Sequence, residues 1–149
     1  MEIQWLMLAD AAEVVANKLY IMGGGWEVLT VNTPFPVSRH CSVAIAVRVP
    51  WQETNQQSTL DVEVATEFGQ TLGKISGHFE VGRPPGIRTG QDQLMKLAVD
   101  LDLNLDGPGR YFIIGNVNGQ TSTRMMFQVV PGPLLASTGG GGSPPSTGR

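Results

Sequence analysis

The stretch Leu97-Ala-Val-Asp-Leu-Asp-Leu-Asn-Leu105 decides the fold, because leucine or valine stands at every second position. Aspartate or asparagine stands between the last four of these apolar residues. Successive side chains of a β-strand point to opposite faces, so this pattern predicts a strand with one buried face and one solvated, acidic face. The turn-forming residues Asp106-Gly-Pro-Gly109 follow, and residues 110–117 predict a second strand.

Strand-like patterns recur along most of the chain. They lie at residues 3–8, 19–31 (interrupted by the three glycines at 23–25), 41–49, 60–65, 75–81 and 121–130. About eight strands at intervals of roughly ten residues are typical of an antiparallel sandwich. We therefore predict an all-β fold, an antiparallel β-sandwich of the immunoglobulin-like (Ig-like) type. Residues 10–17 are predicted as a helical turn or loop, and residues 92–96 as a short helical turn.

The composition changes sharply near the C-terminus. Residues 1–130 carry the strand patterns and predict one β-sandwich domain. Residues 131–149 are rich in glycine, serine and proline, a composition that buries too little apolar surface to fold. We therefore expect a disordered, flexible C-terminal tail.

Charge and cysteine content limit the classes of partner. Only 15% of the 149 residues are charged and the net charge is -3, so no basic run attracts nucleic acid by counterion release. The first apolar run, near residues 5–9, is too short for a signal sequence or a membrane span. Cys41 is the only cysteine, which excludes an intrachain disulfide. We expect a cytoplasmic protein with no nucleic-acid or membrane partner.

Motifs that resemble catalytic or metal sites have simpler structural explanations. The stretch beginning Asp102-Leu-Asn matches half of a calcium loop, but its twelfth position is Ile113 instead of a bidentate glutamate. His40 and Cys41 are neighbours in a predicted strand and therefore point to opposite faces. Cys41 is in phase with buried valines, so we predict a core residue. We predict no catalytic residues, no metal site and no cofactor.

Two places are candidate binding sites. The connection at residues 82–93 is long and carries Arg83 and Arg88 in a mostly acidic protein, and binding residues often lie on such loops. The alternative is a strap that crosses from one sheet to the other. Trp51 follows a strand end, where a tryptophan either anchors a partner or caps the core.

Several short motifs resemble those of a known family. They are Leu8-Ala-Asp10, Asn17-Lys-Leu-Tyr-Ile-Met-Gly-Gly24, the segment from Asp106 to Ile113, and Val117-Asn-Gly119. Together they are similar to a family of small bacterial proteins known only as a domain of unknown function. The resemblance covers about residues 1–130. It implies a compact β-sandwich in a bacterial, cytoplasmic setting, and it transfers no catalytic residue.

Two functions from different classes fit these observations. The first is a non-enzymatic β-sandwich module that binds another protein or its own copies as a homo-oligomer, because sandwiches have open edges. The alternative is a module that binds a small molecule, such as a carbohydrate, in a groove of Trp51, Arg83, Arg88, Asp100 and Asp102. We expect no enzyme, because no motif assembles a nucleophile, a base and an orienting group.

Overall fold

A computed structural model describes residues 1–133, which form nine strands and one 3-10 turn. The strands are β1 (Glu2–Val15), β2 (Lys18–Gly24), β3 (Val28–Val31), β4 (Val37–Val49), β5 (Gln57–Thr66), β6 (Thr71–Glu80), β7 (Gln93–Leu105), β8 (Gly109–Val117) and β9 (Gln120–Pro131), and the turn is Trp51–Glu53. Most of the predicted tail, residues 134–149, lies outside the described residues.

Two sheets pack face to face and confirm the predicted all-β sandwich. The first sheet has the order β2-β1-β4-β7, and the second has the order β3-β9-β8-β5-β6. Every strand pair is antiparallel except β3 with β9, which is parallel. The described residues hold nine strands instead of about eight, because the stretch 19–31 divides into β2 and β3, which join different sheets.

A tyrosine corner marks the sandwich as Ig-like. The Tyr111 hydroxyl, at the start of β8, donates a hydrogen bond of 2.6 Å to the Gly107 carbonyl oxygen. Such a tyrosine precedes the second disulfide cysteine of antibody domains by two residues. That position holds the fully buried Ile113 here, and Cys41 of β4 is a free, buried thiol. The core is therefore held by apolar packing without a disulfide across the sheets.

The hairpin of β1 and β2 does not continue the plane of its sheet. Ala12 and Val14 line a cleft together with Lys96 and Ala98 of β7, although β4 lies between β1 and β7 in the sheet. The hairpin, which we call the arm (residues 11–22), therefore folds back over the outer face of the first sheet. This cover is consistent with the complete burial of the outward-facing alanines of β4.

The helical turn or loop predicted for residues 10–17 and the short helical turn predicted for residues 92–96 are both wrong, because most of these residues lie in strands. Residues 10–15 continue β1, and the tight turn falls at Ala16 and Asn17, which both have positive φ. Such a two-residue turn matches the twist of the flanking strands. Residues 93–96 begin β7 because they pair with β4, where Gln93 lies opposite Val49. Pairing between strands thus overrides the local helical preference of both segments.

Candidate functional site

Trp51 and Arg83 are brought together by the structure. The Arg83 guanidinium carbon lies 3.7 Å from the centre of the Trp51 ring. Arg83 Nε donates a hydrogen bond of 2.7 Å to Thr54 Oγ1, and Nη2 donates one of 3.1 Å to the Trp51 carbonyl oxygen. These contacts fasten the start of the 82–93 connection to the end of β4, and they cover one face of the indole ring.

Arg88 lies elsewhere on that connection. It is exposed, and the shallow pocket beside it is lined only by residues 86 and 88–91 of the connection itself. Its backbone N–H donates a hydrogen bond of 3.0 Å to Gln91 Oε1. The connection leads from β6 in the second sheet to β7 in the first. It therefore crosses from one sheet to the other, which is the structural role that the sequence offered as the alternative to binding.

Asp100 and Asp102 form a separate acidic strip on the outer face of β7. Ser42 Oγ donates a hydrogen bond of 2.6 Å to Asp100, and His40 Nδ1 lies 3.1 Å from Asp102 Oδ1. Their pairing places them opposite residues 40–42 of β4, whereas Trp51 follows the other end of that strand. The small-molecule groove that the sequence suggested is thus spread over three separate places.

Cys41 lies in the core, as predicted, with 2% of its surface exposed. Burial raises the pKa of its thiol from 9.0 to about 11, and the nearby carboxylates of Asp102, Asp10 and Asp100 add to this shift. A raised pKa opposes thiolate formation, which nucleophilic chemistry requires. The residue therefore acts as a small apolar side chain.

The sandwich is open where both sheets end on the same side. β7 is the edge of the first sheet and β6 is the edge of the second. The inward-facing residues of these two strands line one groove, which we call the seam. No strand among residues 1–133 pairs with the free edge of either β6 or β7.

The second sheet extends beyond the first at this seam. Gly73, Ile75 and Gly77 of β6 pair with β5 residues whose side chains point into the core, so they also face inward. Even so, all three are exposed, and Ile75 has 41% of its surface accessible. The first sheet therefore ends before it covers the inner face of β6.

Two cavities lie in the seam on either side of Ile75. One, of about 190 Å³, contains Gly73 and faces Leu101 and Leu103 of β7. The other, of about 120 Å³, contains Gly77 and faces residues 97 and 99. A Cβ atom added at either glycine would meet no heavy atom within 4 Å. Both cavities thus exist because glycine occupies inward positions of an edge strand.

The seam was not among the sites predicted from the sequence. The alternation of Ile75, Gly77 and Phe79 indicates a strand with an inward face. Glycine at such a position removes a side chain from the core, and this was the available signal. Recognising a groove also requires knowing which strands end each sheet, and strand order depends on pairing between distant segments.

Fold and seam together define an Ig-like sandwich in which one side of the core is open. Among residues 1–133, no helix is long and apolar enough to cross a membrane, and no three His, Cys, Asp or Glu residues are grouped to hold a metal ion. The chain belongs to the family described as a family of unknown function (DUF6941), whose model matches residues 4–130. This match confirms the resemblance to a domain of unknown function. No curated protein matches the chain.

Proposed function

We propose that this protein is a non-enzymatic binding module that receives an extended segment of a partner protein along the free edge of β7. The observation that supports this proposal is the exposed inner face of β6. Among residues 1–133, the first sheet has no strand that covers this face. A segment added beside β7 supplies that strand, so the partner completes the sandwich.

The chemistry of the seam suits an extended chain. β7 is 13 residues long and contains no proline, and no strand of residues 1–133 pairs with its outer edge. The N–H and C=O groups along that edge can therefore form a ladder with an added strand. Backbone hydrogen bonds supply affinity in this mode of recognition, and pockets for alternate side chains supply specificity. The added strand also removes Ile75 and the neighbouring apolar surface from water, which is favourable at about 25 cal/mol per Å².

The proposed occupant is a single segment and not the edge of a second sandwich. A second copy that aligned its own β7 with this β7 would bring its β6 to the same side. The two projecting β6 strands would then compete for one space beneath the paired edges. A lone strand has no second layer and avoids this clash.

Filling the seam tests the proposal. The double variant Gly73→Val/Gly77→Val places side chains in both cavities without a clash at Cβ. Neither glycine has positive φ, and valine is favoured in strands, so we expect an unchanged or higher melting temperature. Ser76→Val is the matched control, because it adds the same side chain to the outer face of β6.

The measurement uses a displayed library of random peptides, each as long as β7, and records which peptides the immobilised full chain retains. We expect the wild type and Ser76→Val to retain a set of peptides, and the double variant to bind them at least about tenfold more weakly. Equal binding by the double variant would overturn the proposal. The same holds if no peptide is enriched on the wild type, or if the wild type is a dimer that the double variant dissolves.

We also propose that the protein acts in the cytoplasm of a bacterial cell. The buried, unpaired Cys41 supports this location, because the tyrosine-corner fold holds together here without the disulfide that secreted relatives of this architecture often use. Immunodetection of the chain in fractionated cells checks the location. Recovery in the exported fraction would contradict it.

A further inference from the structure

We infer that the segment bound in the seam carries an aromatic side chain at one position, a small residue two positions later, and an aliphatic side chain two positions after that. This inference rests on the proposed function and specifies its ligand. It follows from the spacing, the separation and the volumes of the two cavities.

The spacing of the cavities matches an extended strand. Gly73 and Gly77 are four residues apart on β6, and the facing residues of β7 are centred near positions 102 and 98. Both walls therefore place the cavities four strand residues apart, or about 13 Å. In an added strand, side chains at positions i, i+2 and i+4 point to the same face. Positions i and i+4 therefore reach the two cavities together.

The residue between them must be small because Ile75 separates the cavities. Its side chain lines both of them and is partly exposed in the floor of the seam. Position i+2 of the added strand lies directly over this side chain. Alanine, serine or glycine leaves room there, whereas a leucine would lift the segment away from β7.

The two cavities differ in their volume. The cavity at Gly77, of about 120 Å³, is lined by apolar side chains of the core and of Phe79, with His78 beside them. The cavity at Gly73 is larger, about 190 Å³. Lys74, Asp102 and Asn104 border it, but they alternate with the inward-facing residues of their strands and point to the outer faces. An aliphatic side chain fits the first cavity. An aromatic ring fits the second, because it needs the larger volume.

The direction of the segment sets the order of the pattern. β7 passes the Gly77 cavity first and the Gly73 cavity second, since residues 97 and 99 face the former and residues 101–104 face the latter. Antiparallel pairing is slightly more stable per residue than parallel pairing. A segment antiparallel to β7 reaches the Gly73 cavity first, so the aromatic residue precedes the aliphatic one.

Synthetic peptides of 13 residues, the length of β7, test this pattern against the full chain. The reference peptide alternates serine and threonine except for tyrosine, alanine and leucine at i, i+2 and i+4. We expect binding to weaken at least about tenfold when the tyrosine and leucine are exchanged, or when the leucine moves to i+3. Leucine at i+2 should weaken binding to the wild type but not to Ile75→Ala.

The outcomes separate this inference from the proposed function. If all the peptides bind equally, and Gly73→Val/Gly77→Val abolishes their binding, the pattern is wrong and the strand-binding role stands. If the reference peptide does not bind the wild type, the pattern is also wrong, and the library selection decides the role independently. Equal binding of the reference peptide to the double variant overturns both.

Discussion

Cys41 links the composition of the core to the stability of the protein at alkaline pH. Its thiol belongs to the buried apolar cluster between the sheets and lies near three carboxylates. Both the lost hydration and the negative charges disfavour the thiolate. The folded chain therefore holds the thiol proton at pH values where the unfolded chain releases it.

This linkage predicts a loss of stability above pH 9. The pKa of Cys41 is raised from 9.0 to about 11, so between these values the unfolded state binds fewer protons and stability falls as pH rises. The full effect is about 2–3 kcal/mol, and it is absent below the unfolded pKa. Urea unfolding at about pH 7.5 and about pH 10.5 measures most of this loss, because the upper pH lies just below the raised pKa.

Cys41→Ala is the control for this prediction, because it removes the titrating group and keeps a small apolar side chain. We expect the variant to lose clearly less stability than the wild type between the two pH values. If both proteins lose the same free energy of unfolding, the thiol does not cause the alkaline loss.

At the scale of the element, the alternation in β7 predicted its two faces correctly. Leu101, Leu103 and Leu105 are buried, whereas Asp100 and Asp102 are exposed. Leu97 and Val99 of the same face are only partly buried, since they border the seam. The local pattern thus reports the face of a side chain, but not how far the opposite sheet extends over it.

The two faces of β7 predict unequal costs for neighbouring substitutions. Leu101→Ala empties a packed site and should lower the free energy of unfolding by about 2–5 kcal/mol. Asp102→Ala removes an exposed contact with His40 and should change it by no more than about 0.5 kcal/mol. Urea unfolding of both variants at neutral pH is the measurement. Similar costs would mean that the assignment of the two faces is wrong.

In the arm, the local sequence pattern fails to predict the secondary structure. Residues 10–17 contain alanines and a glutamate that favour helix. They form a strand because Lys18 to Met22 of β2 pair with them. The candidate site follows the same rule. Trp51 and Arg83 were predicted from residue type and from their place in or beside loops, whereas their stacking and the seam depend on contacts between distant segments.

At the scale of the whole molecule, the two sheets differ in what they cover at the two sides of the sandwich. The second sheet projects beyond the first at β6, and the arm of the first sheet folds back over its own outer face. One flank therefore exposes an inner surface, and the other covers an outer one. The small-molecule alternative and the absence of catalysis stay predictions from the sequence.

The folded-back arm makes β4 the strand that we expect to be best protected from exchange with solvent. Residues 41–47 of β4 are buried on both faces, including Ala44 and Ala46, and the strand has neighbours on both edges. Their amide protons reach solvent only when large parts of the molecule open together. Deuterium uptake followed by mass spectrometry should therefore be slowest in β4 and much faster in β6. Equally slow uptake in β6 would show that the open flank is as rigid as the centre. An added strand could then bind without first having to order β6.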